Sequence, residues 1–201
     1  MGFDCSYQGV PESSALIQKA YDDPEFAEDV FYPVIAFAKG LENKYYFNER
    51  EFSPVRELYS EYPEIGTWNY RPASRMHDAL IYLLNPDSYA KSNGYSELEQ
   101  TLPFRIVKGE KVFSDHLRAT QGVRVRVSSS GFIEKCLVFC SGFRLDELKG
   151  NFDVEKMAEL GIYKVGESCE YHYVENYFVE LTDFYNKIAS LENVSVFISE
   201  D

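Results

Sequence analysis

Two acid–histidine neighbours stand out in a chain with three histidines: His77-Asp78 and Asp115-His116. A histidine oriented by a carboxylate is the usual general base, and His with Asp also suits a divalent metal. Adjacent residues on a helix point in different directions, so neither dipeptide is a dyad alone. The four side chains would work only if the fold brought them together. Chance adjacency is the plainer reading. Arg124 and Arg126 alternate with Val123, Val125 and Val127, so they share one face of a strand, with Arg105 on a candidate neighbouring strand. Such a basic stripe could grip a carboxylate or phosphate bidentately, or lie solvated and paired with nearby acids.

Other segments carry weaker chemistry. Cys136 and Cys140 lie four apart, which suits a thiol pair or half a metal site. Both also fall in a stripe with Phe132 and Phe143, where cysteine acts as a small hydrophobe. Ser128-Ser129-Ser130-Gly131 leads from strand to helix, where exposed amides can hold an anion or simply be capped. Neither a P-loop nor a G-x-S-x-G elbow is present. Trp68-Asn69-Tyr70-Arg71-Pro72 combines residues typical of interface hot spots, giving Trp68, Tyr70 and Arg71 as candidate binding residues; the same loop could plug the core. No sequence feature calls for a cofactor.

These residues must be positioned by a mixed set of elements. Helical segments are expected after Ser14, from Pro24 with a break near Pro33, after Ser53-Pro54, and from Ser74, with Met76, Ala79, Leu80, Leu83 and Leu84 as its buried stripe. The middle reads as a hairpin, Phe104–Val107 turning at Lys108-Gly109-Glu110 into Lys111–Phe113, followed by the Val123–Val127 strand. From Ser129 or Ser130 the period is helical again. Asp153 caps a short helix closed by Gly161, and Ser168 precedes a long helix carrying Tyr171, Val174, Tyr177, Phe178, Leu181, Phe184, Tyr185 and Ile188. The chain then runs into the β-branched segment Val194–Ile198. The expected fold is α/β: a central mixed sheet covered by helices, a helix-rich N-terminal half, and a long C-terminal helix followed by a terminal strand.

The segment Asn151–Tyr163 resembles a signature of the YfbM-like family, bacterial proteins described as a domain of unknown function. The resemblance continues through Phe184-Tyr185 and the terminal strand, and upstream through Ser74–Leu84 and Met1-Gly2-Phe3. Where the family has a tryptophan in the Leu-Leu helix, this chain has His77, and Ile81 stands at a polar or histidine position. The resemblance implies one YfbM-like domain over 1–201, a mixed α/β fold and a bacterial, intracellular setting. It implies no reaction.

Composition narrows the function classes. Among 201 residues, 33 acids outweigh 20 bases for a net charge of −13, which disfavours nucleic acid and anionic membranes and suits a basic protein partner. There is no signal-peptide pattern and no apolar run long enough to span a membrane. Four scattered cysteines fit reduced thiols in a cytoplasm. The expectation is a cytoplasmic, non-enzymatic binding or protein-interaction domain with an acidic surface. The alternative is a hydrolytic or metal-assisted enzyme working through His77, Asp78, Asp115 and His116. Oligomeric state is not legible.

Overall fold

The structure, a computed structural model, describes residues 5–40, 53–65, 68–92, 95–121, 124–166 and 169–200. Val123, Ser168 and the Met1-Gly2-Phe3 opening lie outside the described residues. In chain order the elements are β1 (Cys5–Pro11), α1 (Ala15–Asp22), α2 (Pro24–Phe26), a π-helical turn (Ala27–Phe31), α3 (Tyr32–Gly40), α4 (Ser53–Ser60), β2 (Asn69–Tyr70), α5 (His77–Leu84) and α6 (Pro86–Lys91). There follow α7 (Tyr95–Leu98), α8 (Leu102–Lys108), β3 (Lys111–Val112), α9 (Asp115–Gln121), β4 (Arg124–Ser128), α10 (Ser130–Gly142), α11 (Leu145–Gly150), α12 (Val154–Glu159), α13 (Tyr171–Ala189) and β5 (Val194–Glu200). The break expected near Pro33 falls just before it, at the π turn.

The strands form one sheet in the order β2-β1-β5-β4-β3. Every described pairing is antiparallel, so the sheet is not mixed in the parallel sense. β5 is central, with Tyr7 opposite Ile198 on one side and Val127 opposite Phe197 on the other. Both faces are covered, which explains why β5 reads as a short apolar run. Cys5, Tyr7, Val196 and Ile198 pack under α5, α8, α10 and α13. Val10, Val125, Val127 and Phe197 face α1, α3 and Leu117 of α9. The domain is therefore two helical layers around a sheet.

Local chemistry explains the helix starts. Ser14 Oγ accepts from Leu16 N, and Asp153 Oδ1 accepts from Lys156 N at 3.0 Å. Gly161 closes α12 at φ 68°, a left-handed conformation that glycine adopts without a Cβ penalty. Ser74 does not cap α5, which begins at His77; its hydroxyl instead donates to Tyr173 O at 3.3 Å. The first arm of the expected hairpin is also a helix. Thr101 Oγ1 accepts from Phe104 N and Pro103 sits in the first turn, so α8 buries Phe104, Ile106 and Val107. A short run with three apolar residues, Phe104, Ile106 and Val107, does not distinguish strand from buried helix; the Thr-x-Pro start decides it.

The serine turn before α10 already holds anions of the protein's own. Glu110 Oε2 accepts from the Ser129 amide and hydroxyl, at 3.2 and 2.8 Å. Glu12 Oε1 accepts from Ser130 N at 3.0 Å and Ser195 Oγ at 2.9 Å. Partial burial works against the Glu12 charge, but the Ser130 and Ser195 hydrogen bonds outweigh it and lower its pKa.

All four cysteines are free and buried. Burial pushes the Cys140 thiol up to about 11 and Cys5 up to about 12, the latter despite the attraction of Lys108. Thiolate is the reactive form. Native protein at pH 8 should therefore leave Ellman's reagent nearly colourless over minutes, and release four equivalents once guanidinium unfolds it. Rapid native reaction of any one thiol would contradict this burial.

Candidate functional site

The charged residues converge at one end of the sheet, where α5 begins, α8 ends and β5 ends. Lys108 is the last residue of α8, and its side chain is 1% exposed. Its Nζ lies 3.5 Å from Asp78 Oδ1 and 3.3 Å from Glu200 Oε1. The Tyr95 hydroxyl donates to the same Asp78 oxygen over a long 3.5 Å. Burial opposes the ammonium charge, but the attractions of Cys5, Glu200, Asp78 and Tyr95 more than offset it and raise its pKa above the ordinary lysine value. Cys5 remains a thiol at neutral pH, so the charged partners that matter there are the two carboxylates. An ammonium buried this completely persists only when paired.

Beside this centre the alternation of β4 sends Val125 and Val127 to one helical layer and Arg126 to the other. Arg126 is 7% exposed, with Nε donating to Gly109 O at 3.1 Å and Nη1 3.5 Å from Glu99 Oε2. Its guanidinium lies over the Phe104 ring. Arg124 is half-buried, stands over the Tyr95 ring, and has no carboxylate partner among the described residues. Arg105 belongs to α8, not to a neighbouring strand, and donates to Glu99 O and Gln100 Oε1. Between these groups lies a cavity of about 50 Å³. Glu99, Arg124, Arg126 and Glu200 give it charge, Ser114 a hydroxyl, and Phe104 and Val112 an apolar wall.

The four residues expected to form a His/Asp cluster are not brought together. His77 is buried in the α5 layer, stacked on Tyr163 with ring centroids 5.7 Å apart. Its Nε2 is 3.7 Å from Asp78 Oδ1, too far for a hydrogen bond. The segments Ser74–Leu84 and Asn151–Tyr163 thus meet at the His77–Tyr163 contact. His116 belongs to the opposite layer, its Nε2 2.9 Å from Glu28 Oε2, and Asp115 is exposed at the start of α9. Cys136 and Cys140 are core residues of α10. Among the described residues no three His, Cys, Asp or Glu side chains gather as a metal site.

The Trp68–Arg71 segment is tied to the sheet. Gly9 N donates to Trp68 O at 2.7 Å, and Tyr70 pairs with Tyr7 as the edge strand β2. The Tyr70 ring packs 5.4 Å from Tyr7 and 5.8 Å from Phe184, and its hydroxyl donates to Glu180 Oε2 at 3.2 Å. Trp68 is half-buried against the same core, and Arg71 is exposed.

Lys108, Glu200, Glu99 and Cys5 carry no motif. One pattern does mark Glu200: it continues the Val194–Val196–Ile198 face of β5, so alternation places a carboxylate on a buried face. Lys108 follows Phe104 by four residues and shares its helical face.

No curated protein matches the chain. The Escherichia coli protein titled "The Crystal Structure of a Protein of Unknown Function YfbM" aligns over 98% of this chain and 99% of its own, with a TM-score of 0.59 and 11% identity. That likeness concerns the fold. The family model described as "Domain of unknown function (DUF1877)" matches residues 1–198. The chain therefore belongs to this family of unknown function, as the motifs at Asn151–Tyr163 and Ser74–Leu84 suggest.

Proposed function

We propose that this protein is a non-enzymatic binding domain of the bacterial cytoplasm, and that its ligand occupies the charged cavity beside Lys108. The observation that supports it is fixed charge around an available group. Arg126 and Glu200 are buried and held by their own partners, while Arg124 has a ring beneath it but no carboxylate partner among the described residues. A site whose charges are already oriented binds without the ordering loss that flexible groups suffer. The enzyme alternative needs His77 and His116 in one pocket, and they occupy opposite layers.

Native mass spectrometry of the untagged protein, purified gently from its own cells, tests this reading. A small ligand should be retained by the wild type and reduced at least tenfold in Arg124→Ala. Bare protein in both preparations, or a ligand held equally by the variant, would count against it.

A second reading, docking of a basic protein partner, is favoured by a different observation. Glu147, Glu155, Glu159, Glu180 and Asp183 are all exposed on α11, α12 and α13. Charge complementarity of this kind acts chiefly on association rate and would weaken with salt. No helix among the described residues is long and apolar enough to cross a membrane.

A further inference from the structure

We propose that the cavity between β4, the end of β5 and the α7–α8 turn binds a small zwitterion of amino-acid type, glycine or alanine in size. The proposal rests on the binding reading and adds the ligand's class. Two cations and two carboxylates line the same cavity: Arg124 and Arg126 from β4, Glu99 from the α7–α8 turn, and Glu200 from β5. Arg126 and Glu200 are 7% and 8% exposed, so the polar floor is built into the fold. Lys108 holds Glu200 from behind at 3.3 Å.

This lining discriminates by charge. A plain anion meets two carboxylates and a protein of net charge −13, and a plain cation meets two guanidiniums. A zwitterion is neutral to the overall field and offers each sign a partner: its carboxylate to Arg124, planar and bidentate, and its ammonium to Glu99 and Glu200. Size discriminates further. A space of about 50 Å³ holds on the order of four water-sized groups, so the charged head of an amino acid of glycine or alanine size fills it and a longer side chain would have to leave through the mouth.

Amide NMR titration of the full chain tests the assignment, with glycine, L-alanine, L-leucine, acetate and methylamine as probes. Glycine or alanine should shift Arg124–Ser128 and Glu200 saturably. Acetate, methylamine and leucine should bind at least tenfold more weakly. Arg124→Gln and Glu99→Gln, each checked for a native spectrum, should each weaken glycine binding at least tenfold; one is part-exposed and the other borders the mouth, so the core stays intact. Acetate binding as tightly as glycine would overturn the zwitterion class while leaving a ligand-binding cavity. Saturable binding unaffected by either substitution would place the ligand elsewhere. Silence from all five probes overturns the proposal, and if native mass spectrometry also finds no ligand, the binding reading falls with it.

Discussion

Replacing Lys108 by methionine should lower the unfolding free energy by about 3–5 kcal/mol at pH 7, the loss typical when one partner of a buried ion pair is removed. Methionine has nearly the length of the lysine stem, so packing is largely kept and the charge is what changes. The substitution leaves Asp78 and Glu200 facing the space that Lys108 Nζ fills between them, at 3.5 and 3.3 Å. Urea unfolding followed by circular dichroism would measure it. Neutralising all three groups together, as Lys108→Met with Asp78→Asn and Glu200→Gln, should recover most of the loss, because no uncompensated charge then stays buried. A single-variant loss under about 1 kcal/mol would show that water or another cation reaches the carboxylates.

The same centre sets an alkaline limit. The folded-state pKa of Lys108 is raised, so its stabilising contribution is complete below the ordinary lysine range and disappears as pH climbs past it. Cys5 acts in the same direction, because its thiol is pushed up to about 12 and folding opposes its ionisation above the ordinary thiol range. Wild-type stability should therefore fall from about pH 9 upward. The methionine variant, lacking the lysine contribution, should fall less steeply.

Gly109→Ala should be about as damaging, at roughly 2–5 kcal/mol, for two reasons that act together. Gly109 has φ 101° and ψ 153°, a region that residues with a Cβ rarely occupy. A Cβ there would also stand 2.8 Å from Arg126 Cβ and 3.1 Å from Ile198 Cδ1. Neither neighbour is free to retreat: Arg126 is anchored by the Gly109 carbonyl and Glu99, and Ile198 lies in the central strand. Gly131→Ala is the matched control. It lies in α10 with nothing within 4 Å of its added Cβ, so it should be neutral or stabilising by up to about 1 kcal/mol. Comparable losses in the two variants would mean that the Gly109 conformation is not what matters.

Much of the architecture is legible in the residues, because it rests on local patterns. The spacing of Val174, Tyr177, Phe178, Leu181, Phe184 and Ile188 determines α13 and its buried face, and all six are buried. Asp153 and Gly161 bracket α12 through capping chemistry confined to a few residues. The alternation of Val125 and Val127 with Arg124 and Arg126 identifies β4 and puts both arginines on one face. The motifs at Ser74–Leu84 and Asn151–Tyr163 point to the family.

Where local signals conflict, or where partners are distant in sequence, the tertiary structure decides. Phe104–Val107 has strand-like composition, yet Thr101 and Pro103 start a helix and the core completes it. His77-Asp78 and Asp115-His116 look alike as dipeptides, but the sheet separates them: Asp78 turns to Lys108, and His116 to Glu28. Trp68 and Tyr70 have the composition of an interface, and the β1–β2 pairing commits them to packing against the core. The Lys108–Asp78–Glu200 centre joins α8, α5 and the last residue of β5, positions up to 122 apart in the chain. Sequence by itself determines which faces are buried, because burial follows periodicity. Which charges share a buried end of the sheet depends on how distant segments pack, and no local pattern records that.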